Sequence, residues 1–298
     1  MNSFPDLKTN DAILITGPTA SGKSAKAIEL ARKHDGEVIN ADSMQVYDTL
    51  RVLTARPSDA EMEGVPHHLY GHVPAAAPYS TGEWLRQIAS VLADLRSRDK
   101  VPIIIGGTGL YFKALTEGLA EMPDIPADLR QHWRKRHAEE GAPFLHGELS
   151  KRDPAAAAML NLMDGQRLIR ALEVLDASGR SILDFQRAAA PALIDPDRAM
   201  KMVVLPDRAL LHERINRRFA SMFEAGAVEE VEALLALGLP GSAPVMKAIG
   251  VPQIIEYLAG RLDRDAVIAK ASAATRQYAK RQMTWFRNQM GDDWLRLI

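Results

Sequence analysis

Hydrophobic positions in the first 110 residues alternate between short continuous runs and longer stretches with helical spacing. Continuous apolar runs at Ala12–Thr16, within Glu37–Asp42 and at Val101–Ile105 predict strands that are buried on both faces. Gly22–His34 and Glu83–Ser97 carry apolar residues three and four positions apart, which predicts amphipathic helices. This alternation predicts an α/β fold, with a doubly wound parallel sheet like that of P-loop NTPases.

The pattern changes near residue 118. Met122–Pro126 contains two prolines and suits a linker, and from Ala127 to Ala188 only helical spacing and loops follow. A strand pattern returns at Lys201–Leu205. We therefore predict a core domain of residues 1–117 and 199–298 that is interrupted by a helical insertion domain at 118–198. Beyond Pro206 the spacing predicts three helical stretches: Arg208–Leu237, Val245–Leu258 and Asp265–Gln289.

Composition is that of an ordinary globular protein. Of 298 residues, 47% are hydrophobic and 25% are charged, which excludes disordered and collagen-like classes. The net charge of −1 does not indicate a nucleic-acid binder, so any basic surface must be local. The absence of cysteine excludes disulfides, thiolate zinc sites and cysteine nucleophiles. No apolar run approaches the roughly 20 residues of a membrane helix, and residues 1–11 lack the apolar core of a signal peptide. We expect a cytoplasmic protein without a membrane partner.

The most specific local motif lies between the first predicted strand and the first predicted helix. It matches the P-loop pattern G-x-x-x-x-G-K-[ST] and consists of Gly17, Pro18, Thr19, Ala20, Ser21, Gly22, Lys23 and Ser24. Its glycines let backbone N–H groups turn toward an anion, and the helix N-terminus adds partial positive charge. Lys23 adds a full charge for the phosphates, and Ser24 can hold Mg²⁺. The motif predicts a diphosphate or triphosphate site, and by itself it favours a kinase or NTPase.

Two further motifs follow the second and third predicted strands. The segment 42–47 begins with Asp42, and the segment 106–111 contains Thr108. The carboxyl ends of adjacent strands in a doubly wound sheet face one crevice. We therefore expect Asp42 and Thr108 to lie beside the P-loop.

In this order and spacing, the motifs GPTASGKS, DSMQVY and GGTGLY resemble those of the tRNA dimethylallyltransferase family. The resemblance extends from about residue 12 to 287 through the segments 66–69, 166–173, 214–218, 247–250 and 275–282. Two positions depart from the family pattern: Gly165, where a bulkier residue is frequent, and Val251-Pro252, where an aromatic residue is common.

The resemblance implies transfer of a dimethylallyl group from dimethylallyl diphosphate to N6 of adenosine 37 in tRNA. The P-loop would hold the leaving diphosphate, whose growing charge would be stabilised by Mg²⁺, Thr19, Lys23 and an arginine. Alignment with the family motif favours Arg218, although Arg214 and Arg217 lie close to it in sequence. The alternative is that all three arginines are solvated helix charges.

Asp42 is the candidate for the general base that accepts the proton of the adenine amine. Two alternatives stay open: Asp42 as a water-mediated ligand of Mg²⁺, or as a cap of the turn that follows its strand. Thr19 and Thr108 offer hydroxyls at the crevice; by the resemblance the first contacts the diphosphate and the second the tRNA.

Adenine N6 reaches a buried site only when the base is turned out of its stack. The resemblance implies that Asp42, Ser43, Met44 and Gln45 line the base pocket. It also implies that a second segment clamps the neighbouring nucleotides: Gln166, Arg167, Leu168, Ile169 and Arg170. Basic stretches around Arg130 and along 276–287 are candidate contacts to the anticodon stem-loop. We expect a monomer.

His67 and His68 are candidate metal ligands. However, adjacent histidines do not share a face of a helix or strand, and no third ligand is evident. We expect a structural loop role for them. Three rival functions are a small-molecule kinase, a prenyltransferase acting on free adenine nucleotides, and a non-catalytic tRNA-binding protein.

Overall fold

A computed structural model describes residues 12–188 and 190–298. The segment 1–11, for which the sequence predicts no signal peptide, lies outside the described residues. The described residues divide into two compact units. The core unit comprises the described residues up to Thr116 together with Leu193–Ile298, and the helical unit is Glu117–Ala192.

The core unit contains one parallel sheet with the strand order β3-β2-β4-β1-β5-β6. Its strands are β1 Ala12–Thr16, β2 Gly36–Asn40, β3 His67–His68, β4 Val101–Gly106, β5 Ala199–Val204 and β6 Leu295–Leu297. The predicted α/β class is therefore confirmed. The sheet centre lies between β1 and β4, where Ile13 pairs with Ile103 and Thr16 with Gly106.

Twelve α-helices occur among the described residues. They are α1 Lys23–His34, α2 Asp59–Met62, α3 Thr81–Ser97, α4 Gly109–Glu117, α5 Ala127–Arg152, α6 Pro154–Ala158, α7 Gly165–Ser178, α8 Ile182–Arg187, α9 Arg208–Glu224, α10 Ala227–Ala236, α11 Val251–Leu258 and α12 Arg264–Gln289. None of these helices is both long enough and apolar enough to cross a bilayer.

The two faces of the sheet are covered by different hydrophobic clusters. Alternate residues of a strand point to opposite faces, so Ile13 and Ile103 belong to the cluster that includes α1 residues, and Leu14 and Ile104 to the cluster that includes α3 residues. Trp84 of α3 is fully buried, and its indole Nε1 donates to the backbone oxygen of Asn40 at 2.8 Å. This packing explains why both central strands read as continuous apolar runs.

Two of the predicted helical stretches are wrong in extent. The stretch 208–237 is broken at Gly226, whose φ of 100° ends the regular helix and separates α9 from α10. The stretch 245–258 begins as a 3₁₀ turn at Pro244–Lys247, and α11 starts only after Gly250, whose φ is 104°. The sequence departure at Val251-Pro252 forms the first turn of α11, a position that proline favours.

The prediction of a loop at His67 and His68 is also wrong, because these residues form the short edge strand β3 beside Val38 and Ile39. His68 Nε2 lies 2.6 Å from Glu37 Oε2, and Arg98 Nη1 lies 2.6 Å from Glu37 Oε1. The hydrogen bond from Arg98 lowers the pKa of Glu37 to about 2, and the bond to His68 adds to the effect. His68 is therefore part of a charged cluster at the sheet edge.

The helical unit consists of α5 to α8, as the spacing predicted for 127–188. Its hydrophobic core includes Trp133, Leu145 and Leu172, and Trp133 Nε1 donates to Asp176 Oδ2 at 2.7 Å. Gly141, with φ at 80°, kinks α5 just before Pro143.

Candidate active site

The P-loop forms the turn between β1 and α1. A Cβ atom at Gly17 would lie 2.6 Å from the backbone oxygen of Val204, so only glycine fits against β5. Gly22 caps α1 with φ at 92°, a conformation that glycine adopts without strain. The Ser21 N–H donates to the Pro18 oxygen at 3.2 Å, and the buried Ser21 hydroxyl has no hydrogen-bond partner among the described residues. The turn is thus built with donors available to an anion.

Lys23 lies in the first turn of α1, and its Nζ donates to the Pro18 oxygen at 3.2 Å. Burial lowers the pKa of Lys23 to about 8; the Asp42 carboxylate opposes this shift and the Arg218 guanidinium adds to it. Burial also lowers the pKa of Arg218. A crevice that holds two desolvated cations near one carboxylate is suited to a ligand of high negative charge.

The three arginines of α9 are separated by their position around the helix. Arg214 and Arg218 are four residues apart and share a face. Arg214 Nη1 donates to the backbone oxygen of Ser21 at 3.3 Å, and Arg218 lines the crevice. The Arg217 side chain is 74% exposed and lies 4.0 Å from Glu213, so it points away from the P-loop.

Asp42 follows β2 and is held by its own loop. Its N–H donates to Asn40 Oδ1 at 2.9 Å, and its Oδ1 accepts the Met44 N–H at 2.9 Å. Its Oδ2 accepts no hydrogen bond from the described residues, and it would lie 3.6 Å from a Cβ atom placed on Gly107. One carboxylate oxygen therefore fixes the orientation, while the other is available to a ligand.

Thr108 ties the loop after β4 to the loop after β2. The Ser43 N–H donates to Thr108 Oγ1 at 3.0 Å, and the Thr108 N–H donates to the Ala41 oxygen at 3.2 Å. A Cβ atom at Gly106 would approach the Ala41 oxygen to 2.0 Å, so glycine is required for this contact. The structure thus brings Asp42, Ser43 and Thr108 to the crevice edge where the P-loop lies.

The crevice has two adjacent chambers that share part of their lining. The phosphate chamber, of about 320 Å³, is lined mainly by the P-loop residues 19–24 with Arg214, Gln45 and Tyr70. The apolar chamber, of about 330 Å³, is lined by Met44, Leu53, Ile215, Phe219, Met222 and Ile249, with Tyr278, Lys247 and Arg281 among its polar residues. Five residues line both chambers: Thr19, Ala20, Asp42, Thr54 and Arg218.

Gln45 lies in the crevice and also braces a neighbouring loop. Its amide Nε2 donates to the Thr54 and Ala55 oxygens at 2.9 and 3.0 Å, which braces the loop between β2 and α2. Gln45 lines the phosphate chamber, whereas Ser43 and Met44 line the apolar chamber. The Gln45 amide donors are therefore engaged within the protein.

In the helical unit, the predicted clamp segment begins at α7. Gln166 and Arg167 are exposed, and Arg170 lies 3.6 Å from Glu173. Leu168 is fully buried in the core of the unit and Ile169 packs against it, so a direct contact of the Leu168 side chain with RNA is wrong. Arg130 is exposed on α5. The absence of a side chain at Gly165 leaves room for His137, whose Nε2 would lie 2.0 Å from a Cβ atom at this position.

Comparison with known proteins identifies the family. A sequence profile described as IPP transferase matches residues 45–289, and one described as isopentenyl transferase matches residues 10–70. The chain is 68% identical over 287 residues to the tRNA dimethylallyltransferase of Agrobacterium fabrum, covering 96% of each chain. The chain belongs to the IPP transferase family. It is also 60% identical to the tRNA dimethylallyltransferase of Rhizobium meliloti, covering 96% of this chain and 95% of that one.

Solved structures of this family have the same fold. The tRNA isopentenylpyrophosphate transferase of Bacillus halodurans is 31% identical with a TM-score of 0.69, over 97% of this chain and 89% of that chain. A eukaryotic dimethylallyltransferase acting on tRNA is 26% identical with a TM-score of 0.81, over 96% of this chain and 73% of that chain.

Several residues of this IPP transferase crevice were not predicted individually. Leu53, Phe219 and Tyr278 line the apolar chamber, and Gln282 contacts the P-loop from α12. Tyr278 and Gln282 fall in the family segment 275–282, which was the one available signal, whereas no local pattern marks Leu53 or Phe219.

The donor set for a metal ion is sparse. Among the described residues there is no cluster of three or more acidic or histidine side chains that would hold a metal by themselves. The exposed Ser24 hydroxyl and the Asp42 carboxylate both line the phosphate chamber. Such a set suits Mg²⁺ that takes most of its oxygen ligands from a diphosphate and water.

Proposed function

We propose that this chain transfers the dimethylallyl group of dimethylallyl diphosphate to N6 of adenosine 37 in tRNAs that read codons beginning with U. One observation carries the proposal: a phosphate chamber lies beside an apolar chamber, and Asp42, Thr19 and Arg218 line both. The apolar chamber suits the hydrocarbon chain of an allylic diphosphate. The names of the relatives at 60–68% identity support the same chemistry.

In the proposed reaction, a bond forms between N6 and C1 of the allylic chain as the bond from C1 to the diphosphate oxygen breaks. Negative charge grows on the departing diphosphate. Lys23 and Arg218 supply positive charge there, and the P-loop N–H groups and the Thr19 and Ser21 hydroxyls supply hydrogen bonds. Because the chamber desolvates both cations, their attraction to the leaving group is stronger than it would be in water.

Asp42 accepts the proton that N6 loses. Its Oδ2 is the free oxygen, and the Met44 N–H on Oδ1 keeps the carboxylate turned toward the crevice. The exocyclic amine is a weak nucleophile because its lone pair is delocalised into the ring. A carboxylate within hydrogen-bond distance of the amine orients it and removes the proton as the new bond forms.

The apolar chamber accommodates the five-carbon chain, and its side chains exclude water from the allylic carbon. Leu53, Ile215, Phe219 and Met222 provide this lining. Mg²⁺, held through Ser24 and the diphosphate oxygens, would neutralise part of the leaving-group charge.

The tRNA contacts are assigned to two surfaces. In the helical unit, we propose that the exposed Gln166, Arg167 and Arg130, together with Arg170, contact the anticodon stem-loop. In the core unit, Ser43, Met44 and Thr108 lie beside Asp42, where they would contact the extruded base. We propose that the protein acts as a monomer.

The deciding experiment is mass spectrometry of nucleosides from unmodified tRNA treated with the protein and dimethylallyl diphosphate. We expect N6-(dimethylallyl)adenosine with wild type and a loss of about 10²–10⁴-fold in kcat for Asp42→Asn, the range that general-base catalysis contributes. Asp48→Asn is the matched control, because Asp48 is exposed and should retain wild-type activity.

Parallel reactions test the rival functions. Phosphate transfer from γ-labelled ATP without prenyl transfer would support a kinase. Prenylation of AMP or ADP in preference to tRNA would show that free nucleotides are the substrate. Wild-type turnover by Asp42→Asn would exclude Asp42 as the base.

A further inference from the structure

Gln282 on α12 connects two of the three loops that form the crevice. Its side chain is buried, with 6% of the residue exposed. Its Oε1 accepts the Thr19 N–H at 3.0 Å, and its Nε2 donates to the Gly107 oxygen at 2.9 Å. A single amide thus links the P-loop to the loop after β4.

The loop after β4 is shaped to receive α12. A Cβ atom at Gly107 would lie 2.4 Å from Gln282 Nε2, and one at Gly109 would lie 2.2 Å from the ring of Trp285. Gln282 and Trp285 are three residues apart and share a face of α12. A side chain at Gly107 would therefore displace the Gln282 amide, and one at Gly109 would collide with the Trp285 ring.

The same contact lies next to the proposed base. A Cβ atom at Gly107 would also lie 3.6 Å from Asp42 Oδ2, and Thr108 Oγ1 accepts the Ser43 N–H. A displacement of Gly107 would therefore move Thr108 and the loop that carries Asp42. Gln282 engages the N–H of Thr19, a residue that lines both chambers.

We infer that Gln282 is a positioning residue, whose amide sets the distance between the diphosphate held by the P-loop and the carboxylate of Asp42. The inference rests on the proposed function. Among glutamine, glutamate and methionine, which have similar shapes, only glutamine supplies both an acceptor for Thr19 and a donor for Gly107 at neutral pH. Glutamate keeps the shape and the acceptor but loses the donor unless it is protonated, and methionine keeps the approximate shape and loses both.

Gln282→Glu separates a positioning role from a merely structural one, because only the positioning role predicts a loss of kcat that depends on pH. The carboxylate would face the Gly107 oxygen and the nearby Asp42, which disfavours ionisation and raises its pKa. We expect kcat at saturating substrates to fall about 30-fold relative to wild type at pH 8. The ratio of variant to wild-type kcat should recover at least tenfold as the pH falls to 6, because the protonated acid again donates to Gly107.

Gln282→Met should lower kcat by a similar factor at every pH, without the recovery. The control is Gln186→Glu, which adds the same charge at an exposed position of α8 and should give a ratio near one at all pH values. Melting temperatures are measured at each pH, so that a variant's activity is scored only where it is folded.

Two results would overturn the inference. The first is Gln282→Glu with kcat within threefold of wild type across the pH range, and the second is a loss of kcat that does not recover at low pH. If wild type transfers no prenyl group, the proposed function fails. Calorimetric binding of inorganic pyrophosphate would still report on the P-loop contact, with a tenfold higher Kd expected for Gln282→Met than for wild type.

Discussion

The charge state of Lys23 determines how strongly the phosphate chamber binds an anion. Lys23 is in the first turn of α1, Arg218 approaches from α9, and Asp42 is the carboxylate that acts on both. Because burial is the dominant influence on Lys23, its charge depends on the chamber more than on any single neighbour. Its pKa of about 8 places the loss of that charge just above neutral pH.

The first prediction concerns this titration. The folded pKa of Lys23 is about 8, below its ordinary 10.5, so the cation is present below pH 8 and is lost as the pH rises through that value. We expect kcat/KM for dimethylallyl diphosphate to fall about tenfold for each pH unit well above 8. Initial rates at low substrate concentration between pH 7 and 9.5 measure this limb.

Lys23→Arg supplies the control for this titration. A guanidinium stays charged throughout the range, so the variant should be slower but should lack the alkaline limb. An unchanged limb in Lys23→Arg would assign the titration to another group.

The roles of the arginines of α9 depend on the direction in which each side chain points. The family motif favoured Arg218, with Arg214 and Arg217 close to it in sequence, and the helical repeat separates the three. Arg214 and Arg218 face the P-loop, while Arg217 is exposed beside Glu213. The proposed role as an anion ligand therefore applies to Arg214 and Arg218 and not to Arg217.

At the scale of elements, the wall of the apolar chamber depends on a loop that has little regular structure. Residues 51–54 contribute Leu53 and Thr54 to the chamber lining. Glu230 of α10 holds this loop: its carboxylate accepts the N–H groups of Arg51, Val52 and Leu53 at 2.9, 2.6 and 3.1 Å. Gln45 holds the other end through Thr54 and Ala55.

We predict that Glu230→Ala weakens binding of the isoprenoid substrate more than it slows chemistry. Three backbone donors lose a charged acceptor, which should cost about 2–3 kcal/mol of unfolding free energy. The loosened loop should raise KM for dimethylallyl diphosphate about tenfold, with kcat changed less than threefold. Urea unfolding and steady-state kinetics measure the two effects.

Glu229→Ala is the matched control, because Glu229 is the preceding residue of α10 and is exposed. It should leave both stability and KM close to wild type. A Glu230→Ala protein with normal KM would show that this loop does not form the substrate wall.

At the scale of the whole molecule, every residue that lines the two chambers belongs to the core unit. The chain leaves this unit at Thr116 and returns at Leu193. The two points are adjacent, because the N–H groups of Leu193 and Ile194 both donate to the Leu115 oxygen, at 3.0 and 3.2 Å. The core unit therefore has the geometry of a domain with an insertion.

This geometry predicts that residues 117–192 can be replaced by a short Gly-Ser linker without unfolding the core unit. The shortened protein should bind inorganic pyrophosphate with a Kd within about threefold of wild type, since the P-loop is unchanged. It should lose tRNA prenylation by at least 100-fold, because Arg130 and the 166–170 segment are absent. Calorimetry and nucleoside mass spectrometry measure the two properties.

Retained tRNA prenylation would contradict the assignment of the helical unit to tRNA binding. Loss of pyrophosphate binding in a folded protein would contradict the independence of the core unit. Circular dichroism and cooperative thermal melting establish that the shortened chain is folded.

Local features of the fold follow from the sequence because they depend on residues a few positions apart. The buried runs at 12–16 and 101–105, the P-loop and the position of Asp42 at the end of a strand are features of this kind. The break at Gly226 was missed because helical spacing continues on both sides of it. The short strands β3 and β6 were missed because two or three residues carry too little periodic signal.

The sequence by itself determined the P-loop, the α/β class and the family, because each is encoded in contiguous residues and in their order. Only the tertiary structure decided which arginines face the diphosphate, that Leu168 is buried, and that Gln282 binds Thr19 from 263 positions away. Contacts over such separations exist only when folding packs distant elements against one another, and no local spacing in the chain specifies that proximity.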